Sequence, residues 1–127
     1  MDIIGFDYVS VFIQWYNTVM DETRIAWAAG FFDGEGYIEL KNGKCARIEW
    51  SQKDLAPLIQ LNLIFNTGVI GQQNRDTRFL IYTYRVFGRE AIRVLRRMLP
   101  YLTVKRAKAI EAIETECLIR PKKPNRI

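Results

Sequence analysis

Histidine is missing altogether from the 127 residues. Its absence removes the Ser-His-Asp triad, the Cys-His dyad and any imidazole general base. Cysteine is nearly as scarce, at Cys45 and Cys117 alone. Two cysteines without histidine cannot build a zinc finger or a zinc-hydrolase centre. They are also too few for a secreted disulfide scaffold, so two free thiols in a reducing compartment are expected. Uninterrupted apolar stretches are lacking as well. Residues 1–20 are rich in apolar groups, but Asp2, Asp7, Gln14 and Asn17 interrupt them and no positive charge opens the chain. That pattern fits neither a signal peptide nor a membrane span, and a soluble protein without a membrane partner is expected. Any catalysis would fall to carboxylates, lysines, hydroxyls and a hard metal ion.

What is present is an ordinary globular composition, 49% apolar and 26% charged, which excludes intrinsic disorder. The length suits a single domain, residues 1–127, able to bury a core without staples. The net charge of +5 hides an asymmetry. Residues 1–40 hold seven acids against one base, Arg24, whereas residues 41–110 hold fourteen bases against four acids. A basic middle points to a polyanionic partner, nucleic acid before an anionic membrane, with a merely solvated surface as the alternative.

Apolar spacing predicts a helix over residues 8–20, with Val9, Phe12, Ile13, Tyr16, Val19 and Met20 on its packed face. Trp15 and Val11 lie off that face, so packing on two sides is expected. Asp21 reads as the N-cap of a second helix that runs through IAWAAGFFD and stops at Gly34-Glu35-Gly36. Strands over 37–41 and 45–52 follow, joined by an Asn42-Gly43 hairpin turn. Asp54 reads as the cap of a helix packing Leu58, Leu61, Ile64 and Phe65, with Pro57 in its first turn and its end near Gly68. A second strand pair is expected over 69–73 and 78–87 around a polar loop, then a helix over 89–99 stopped by Pro100. Thr103 reads as the cap of a last helix ending before Pro121, and the basic tail 120–127 as mobile. The fold class is α+β: helices layered on one four-stranded antiparallel sheet, with an extra N-terminal helix over residues 1–20.

The sharpest local signal is AAGFFDGEG, Ala28 to Gly36. Ala26, Gly30 and Gly34 recur every four residues, leaving one helix face nearly bare for close approach of another backbone. Asp33 and Glu35 stand at the helix end, where the dipole is already negative and acids are unfavourable without a cation. The reading is either an oxygen-liganded divalent metal site, Mg²⁺ for preference, or a solvated acidic end with glycine caps. AAGFFDGEG resembles the LAGLIDADG motif of homing endonucleases, with Ala29, Gly30, Asp33 and Gly36 in place and Ala28 where leucine is usual. WSQKDLAPLIQLNLIFNTGVI and LPYLTVKRAKA resemble two further blocks of that family, so the likeness spans roughly residues 25–115.

The resemblance implies an αββαββα fold whose sheet saddles the DNA major groove. It also implies double-strand cleavage with divalent metal and, for a chain with one motif, a homodimer. Glu35 and the Gly34 carbonyl take the metal positions, although aspartate is commoner than glutamate there. Asp33 takes the structural acid position. Gln52 and Lys105 match the polar residues that order water and stabilise charge at the scissile phosphate, with a strand-end amide and a solvated helix lysine as the alternative readings. Ala26, Ala29, Gly30 and Asp33 are the expected dimer face. Strand alternation directs Tyr37, Glu39, Lys41, Arg47, Glu49 and Ser51 toward DNA if Ile38, Leu40, Ile48 and Trp50 point inward. Thr83 and Arg85 would join them beside Gln72, Gln73, Arg75 and Arg78 if Tyr82, Tyr84 and Val86 are inward; the opposite phase on that strand stays open because Phe79, Ile81 and Phe87 are also apolar. Arginine and glutamine read purine edges and glutamate accepts from cytosine. Arg93, Arg96, Arg97, Arg106 and Lys108 read as phosphate contacts or solvated charge. The expected function is a homodimeric, Mg²⁺-dependent, site-specific endonuclease of double-stranded DNA. The alternative is a DNA-binding regulator or intron RNA maturase on the same scaffold without cleavage, and a purely structural dimer is a remoter third.

Overall fold

A computed structural model of the chain describes residues 8–76 and 79–119, with the side chains of 74–76, 79 and 116–119 left out of account. Arg78 and the basic tail lie outside the described residues, as does the side chain of Arg75. The order is α1 (Tyr8–Glu35), β1 (Gly36–Lys41), β2 (Lys44–Gln52), α2 (Ala56–Phe65), β3 (Val69–Asp76), β4 (Phe79–Phe87), α3 (Gly88–Met98), a 3-10 turn (Leu99–Tyr101) and α4 (Arg106–Ile119). The four strands form one antiparallel sheet in the order β1-β2-β4-β3.

Asn42 and Gly43 both take positive φ, 55° and 76°, so the first hairpin turns where the sequence places it. Register shifts after Glu39, which faces Arg47 while Leu40 faces Cys45. The extra residue, Ala46, is a bulge that keeps Cys45 and Ile48 both on the buried side. Trp50 is the centre of the core, with ring centroids 4.8 Å from Phe32, 5.4 Å from Tyr84 and 6.1 Å from Phe65. Its indole Nε1 donates to the Ala28 carbonyl 3.3 Å away, which satisfies the one polar atom of a fully buried ring. Tyr84 donates to Thr67 O at 2.6 Å, and its burial pushes the phenol pKa up to about 12.

Four expectations are corrected. Residues 8–35 are one 28-residue helix rather than two, and Asp21 caps nothing. No glycine or proline stands between residues 8 and 29, where the break was expected, and the hydroxyls of Thr18 and Thr23 fold back onto the Gln14 and Val19 carbonyls, both at 2.9 Å. Val9, Phe12, Ile13, Tyr16 and Val19, expected to pack, are exposed; of α1 only Ile25, Ala28, Ala29 and Phe32 are buried. Leu55 rather than Asp54 stands at the cap of α2, without a side-chain hydrogen bond. Thr103 precedes α4, but the side-chain oxygens serving that end come from Asp33.

Candidate functional site

The two acids closing α1 divide their work. Asp33 Oδ2 accepts from the backbone N and hydroxyl of Thr103, both at 2.9 Å, and Oδ1 from the backbone N of Lys105 at 2.9 Å. Partial burial pushes the Asp33 carboxyl up, but these bonds and the Lys105 charge outweigh it and hold its pKa below the ordinary value. The Lys105 ammonium donates to the Asp33 carbonyl at 3.0 Å, which sets a cation on the negative end of α1. Residues 72 positions apart are thereby joined at the helix end. Glu35, two residues on, is exposed and forms no hydrogen bond or ion pair among the described residues. Gly34 is exposed too, and its carbonyl belongs to the last turn of α1, where carbonyls lack helical partners.

Gly36 pairs with Trp50, so Gln52 lies at the sheet end beside the junction of α1 and β1. Its pairing with Tyr82 sets it on the helix side of the sheet, not on the open side with Ser51. There it lines an open groove of about 470 Å³ with Ala26, Trp27, Gly30, Phe31 and Pro57, its Oε1 accepting from Lys53 N at 3.0 Å. The structure thus brings Lys105 to the end of α1 and Gln52 to the neighbouring strand end. Thr103 is the residue sequence reading missed, since it read as a cap rather than as a partner of Asp33.

The open sheet face carries an ionic ladder. Glu39 pairs with Arg47, Arg47 Nε donates to Glu49 at 3.0 Å, and Arg85 Nε donates to the same Glu49 oxygen at 2.9 Å. Burial pushes Glu49 up, yet the two guanidiniums win and lower its pKa, while the hydrogen bond to Glu49 raises that of Arg47. Tyr37 and Lys41 share this face as expected. On β4, Tyr84 and Val86 are buried, which selects the first of the two phases. Thr83 has the open-face parity but is only 1% exposed, with its hydroxyl unpartnered among the described residues, so it is not presented to a partner. On β3, Gln73 pairs with Ile81 on the open side, but Gln72 pairs with Tyr82 and belongs to the helix side. Arg93, Arg96 and Arg97 lie on α3, which packs on the helix side, so DNA on the open face would not meet them; Arg93 binds Glu90 at 2.7 Å.

The expected dimer face is corrected in part. Ala29 is buried within the chain's own core, and the Asp33 carboxylate is occupied by residues 103–105. Gly30 and Gly34 have nothing within 4 Å of where a Cβ would stand, and Ala26 is half-buried, so a bare strip of α1 does face outward.

The sequence matches no protein-family model and no curated protein. Solved structures do match. The homing endonuclease I-CvuI, in complex with the I-CreI target in the presence of Mg with the DNA not cleaved, superposes with a TM-score of 0.65 at 23% identity, over 75% of this chain and 66% of that one, just under two thirds of its length. I-CvuI with its own target in Ca gives 0.60 at 20% identity, over 86% and 90% of the two chains. The archaeal intron-encoded I-Vdi141I, complexed with DNA, gives 0.61 at 16% identity, over 79% and 71%. The chain has the α+β fold of the LAGLIDADG homing endonucleases.

Proposed function

We propose that this chain is a site-specific endonuclease of double-stranded DNA that works as a homodimer with a divalent metal ion. The observation that carries the reading is the division of labour at the end of α1: Asp33 is consumed by structure, its carbonyl holding the Lys105 ammonium, and Glu35, two residues on, is left open. An exposed carboxylate and a terminal helix carbonyl are hard oxygen donors, which suit Mg²⁺. No group of three potential acidic, thiol or imidazole ligands gathers among the described residues, so one chain supplies part of a site. A second copy docked on the bare strip would bring a second Glu35 near the first and complete it with phosphate oxygens.

When bound, the metal would lower the pKa of an attacking water and stabilise the leaving oxygen. Glu35 and the Gly34 carbonyl would hold it, Lys105 would offset charge developing on the phosphate, and Gln52 would orient water at the strand end. The ladder residues Arg47, Glu49 and Arg85 with Tyr37, Glu39, Lys41 and Gln73 would meet the base edges, trading their mutual ion pairs for base contacts.

Glu35→Gln tests this directly. Glutamine keeps the size and removes the charge, so cleavage in Mg²⁺ is expected to be lost while affinity in Ca²⁺ or EDTA is kept. Cleavage by the variant near the wild-type rate would remove Glu35 from the chemistry. Wild type that binds a selected site and never cuts it would favour a non-cleaving DNA- or RNA-binding protein instead.

A further inference from the structure

Between Phe12 and Val19, α1 presents apolar side chains that no described residue buries. Phe12, Ile13, Trp15 and Tyr16 are 50–59% exposed and Val19 is 40% exposed. Phe12 contacts Trp15 and Tyr16, with ring centroids 6.0 and 6.3 Å apart, so the patch is continuous. At 100° per residue its direction can be compared with the rest of the helix. Val9, Phe12, Tyr16 and Val19 follow a three-four spacing that continues through Thr23, Ala26 and Gly30. The buried residues Ile25, Ala28, Ala29 and Phe32 occupy the opposite side, in line with the polar Ser10, Gln14, Asn17 and Asp21. The apolar half-helix therefore turns its back on the chain's own core and shares its direction with the bare strip.

We infer that residues 8–20 extend the dimer contact, pairing in parallel with the same segment of a second copy as a shallow two-helix coil. The inference rests on the homodimer proposed above. Side-chain size is graded along the seam, from Gly30 and Ala26 at the sheet end through Thr23 and Val19 to Tyr16 and Phe12. Helices touching backbone to backbone at Gly30 diverge away from it, and growing side chains fill the widening gap. Axes about 8 Å apart at Gly30 and crossing at about 20° stand about 12 Å apart at Phe12, which paired aromatic rings can span; at about 50° they would stand about 24 Å apart and could not touch. Area argues the same way: the exposed fractions of the apolar side chains between Tyr8 and Val19 amount to on the order of 500 Å² per chain. That is most of the roughly 800 Å² per partner of a standard interface, which a strip of glycine and alanine cannot supply alone. A lipid surface is the poorer occupant, because residues 8–20 carry no lysine or arginine for headgroups.

Analytical ultracentrifugation of wild type, Phe12→Glu/Tyr16→Glu and Gly30→Leu reads the contact. The double variant changes only exposed side chains, so circular dichroism should be unchanged while the dimer dissociation constant rises tenfold or more. A constant within twofold of wild type, with Gly30→Leu monomeric, would overturn the extension and leave the dimer of the strip standing. A monomeric wild type would overturn both. Spin labels at Gln14→Cys in a Cys117→Ser background, Cys45 being buried, should sit about 30 Å apart for the shallow crossing; about 40 Å or more would overturn it. Sedimentation of wild type, but not of the double variant, with phosphatidylcholine/phosphatidylglycerol vesicles, without any change in dimerisation, would assign the patch to lipid and overturn the inference.

Discussion

Asp33 and Glu35 are two residues apart and are expected to respond oppositely to loss of charge. Asp33→Asn keeps the shape but offers one acceptor oxygen to three donors from Thr103 and Lys105. Leaving a charge-assisted set half-made should cost about 2 kcal/mol, read by urea unfolding; Glu35→Gln, without such partners, should leave stability unchanged. The same bonds fix a pH dependence. The carboxyls of Asp33 and Glu49 are held below their ordinary values of 3.8 and 4.5, so the unfolded chain takes up their protons first. Their stabilisation is therefore complete above those values and lost as pH falls through the lowered ones. Unfolding free energy should drop below about pH 4, less steeply in Asp33→Asn and Glu49→Gln than in wild type; equal acid slopes in all three would contradict the assignment. Sequence reading placed Asp33 and Glu35 at a helix end and Arg47 on one sheet face, with Arg85 joining it in one of two open phases. It could not show that Asp33 is spent on residues 70 and 72 positions away, since nothing local in either segment encodes the other.

At the scale of the element, α1 and its junction with β1 carry the design. A Cβ on Gly36 would stand 2.2 Å from the Phe32 ring, which is wedged edge-on against Trp50 and cannot retreat. Gly36→Ala should cost about 1–3 kcal/mol or more and loosen the strand start next to Glu35. Thermal unfolding checks the first effect, and cleavage reduced out of proportion to binding the second. The hairpins were legible because turn chemistry is local, at Asn42-Gly43, and because alternation along β2 is clean. The upper half of α1 was misread for a physical reason: a 3.6-residue period shows that a face is apolar, not whether the chain itself covers it. Thr83 was misread similarly, since alternation gives the side of the sheet and not the depth.

For the molecule as a whole, the charge asymmetry reads differently once folded. The basic middle splits between the open sheet face and the outer side of α3, and on the open face arginines and glutamates neutralise one another in the ladder. Affinity for DNA should consequently depend on exchanging those pairs for phosphates and bases, which favours sequence discrimination over indiscriminate binding. The fold was legible because three separated blocks agreed with one element order. The central claim, a two-fold nuclease that selects its site, is tested most directly by incubating the purified protein with randomised DNA in Mg²⁺ and sequencing the new ends. Ends clustered on one long, pseudo-palindromic site are predicted; ends scattered without sequence preference, or no new ends at all, would contradict it.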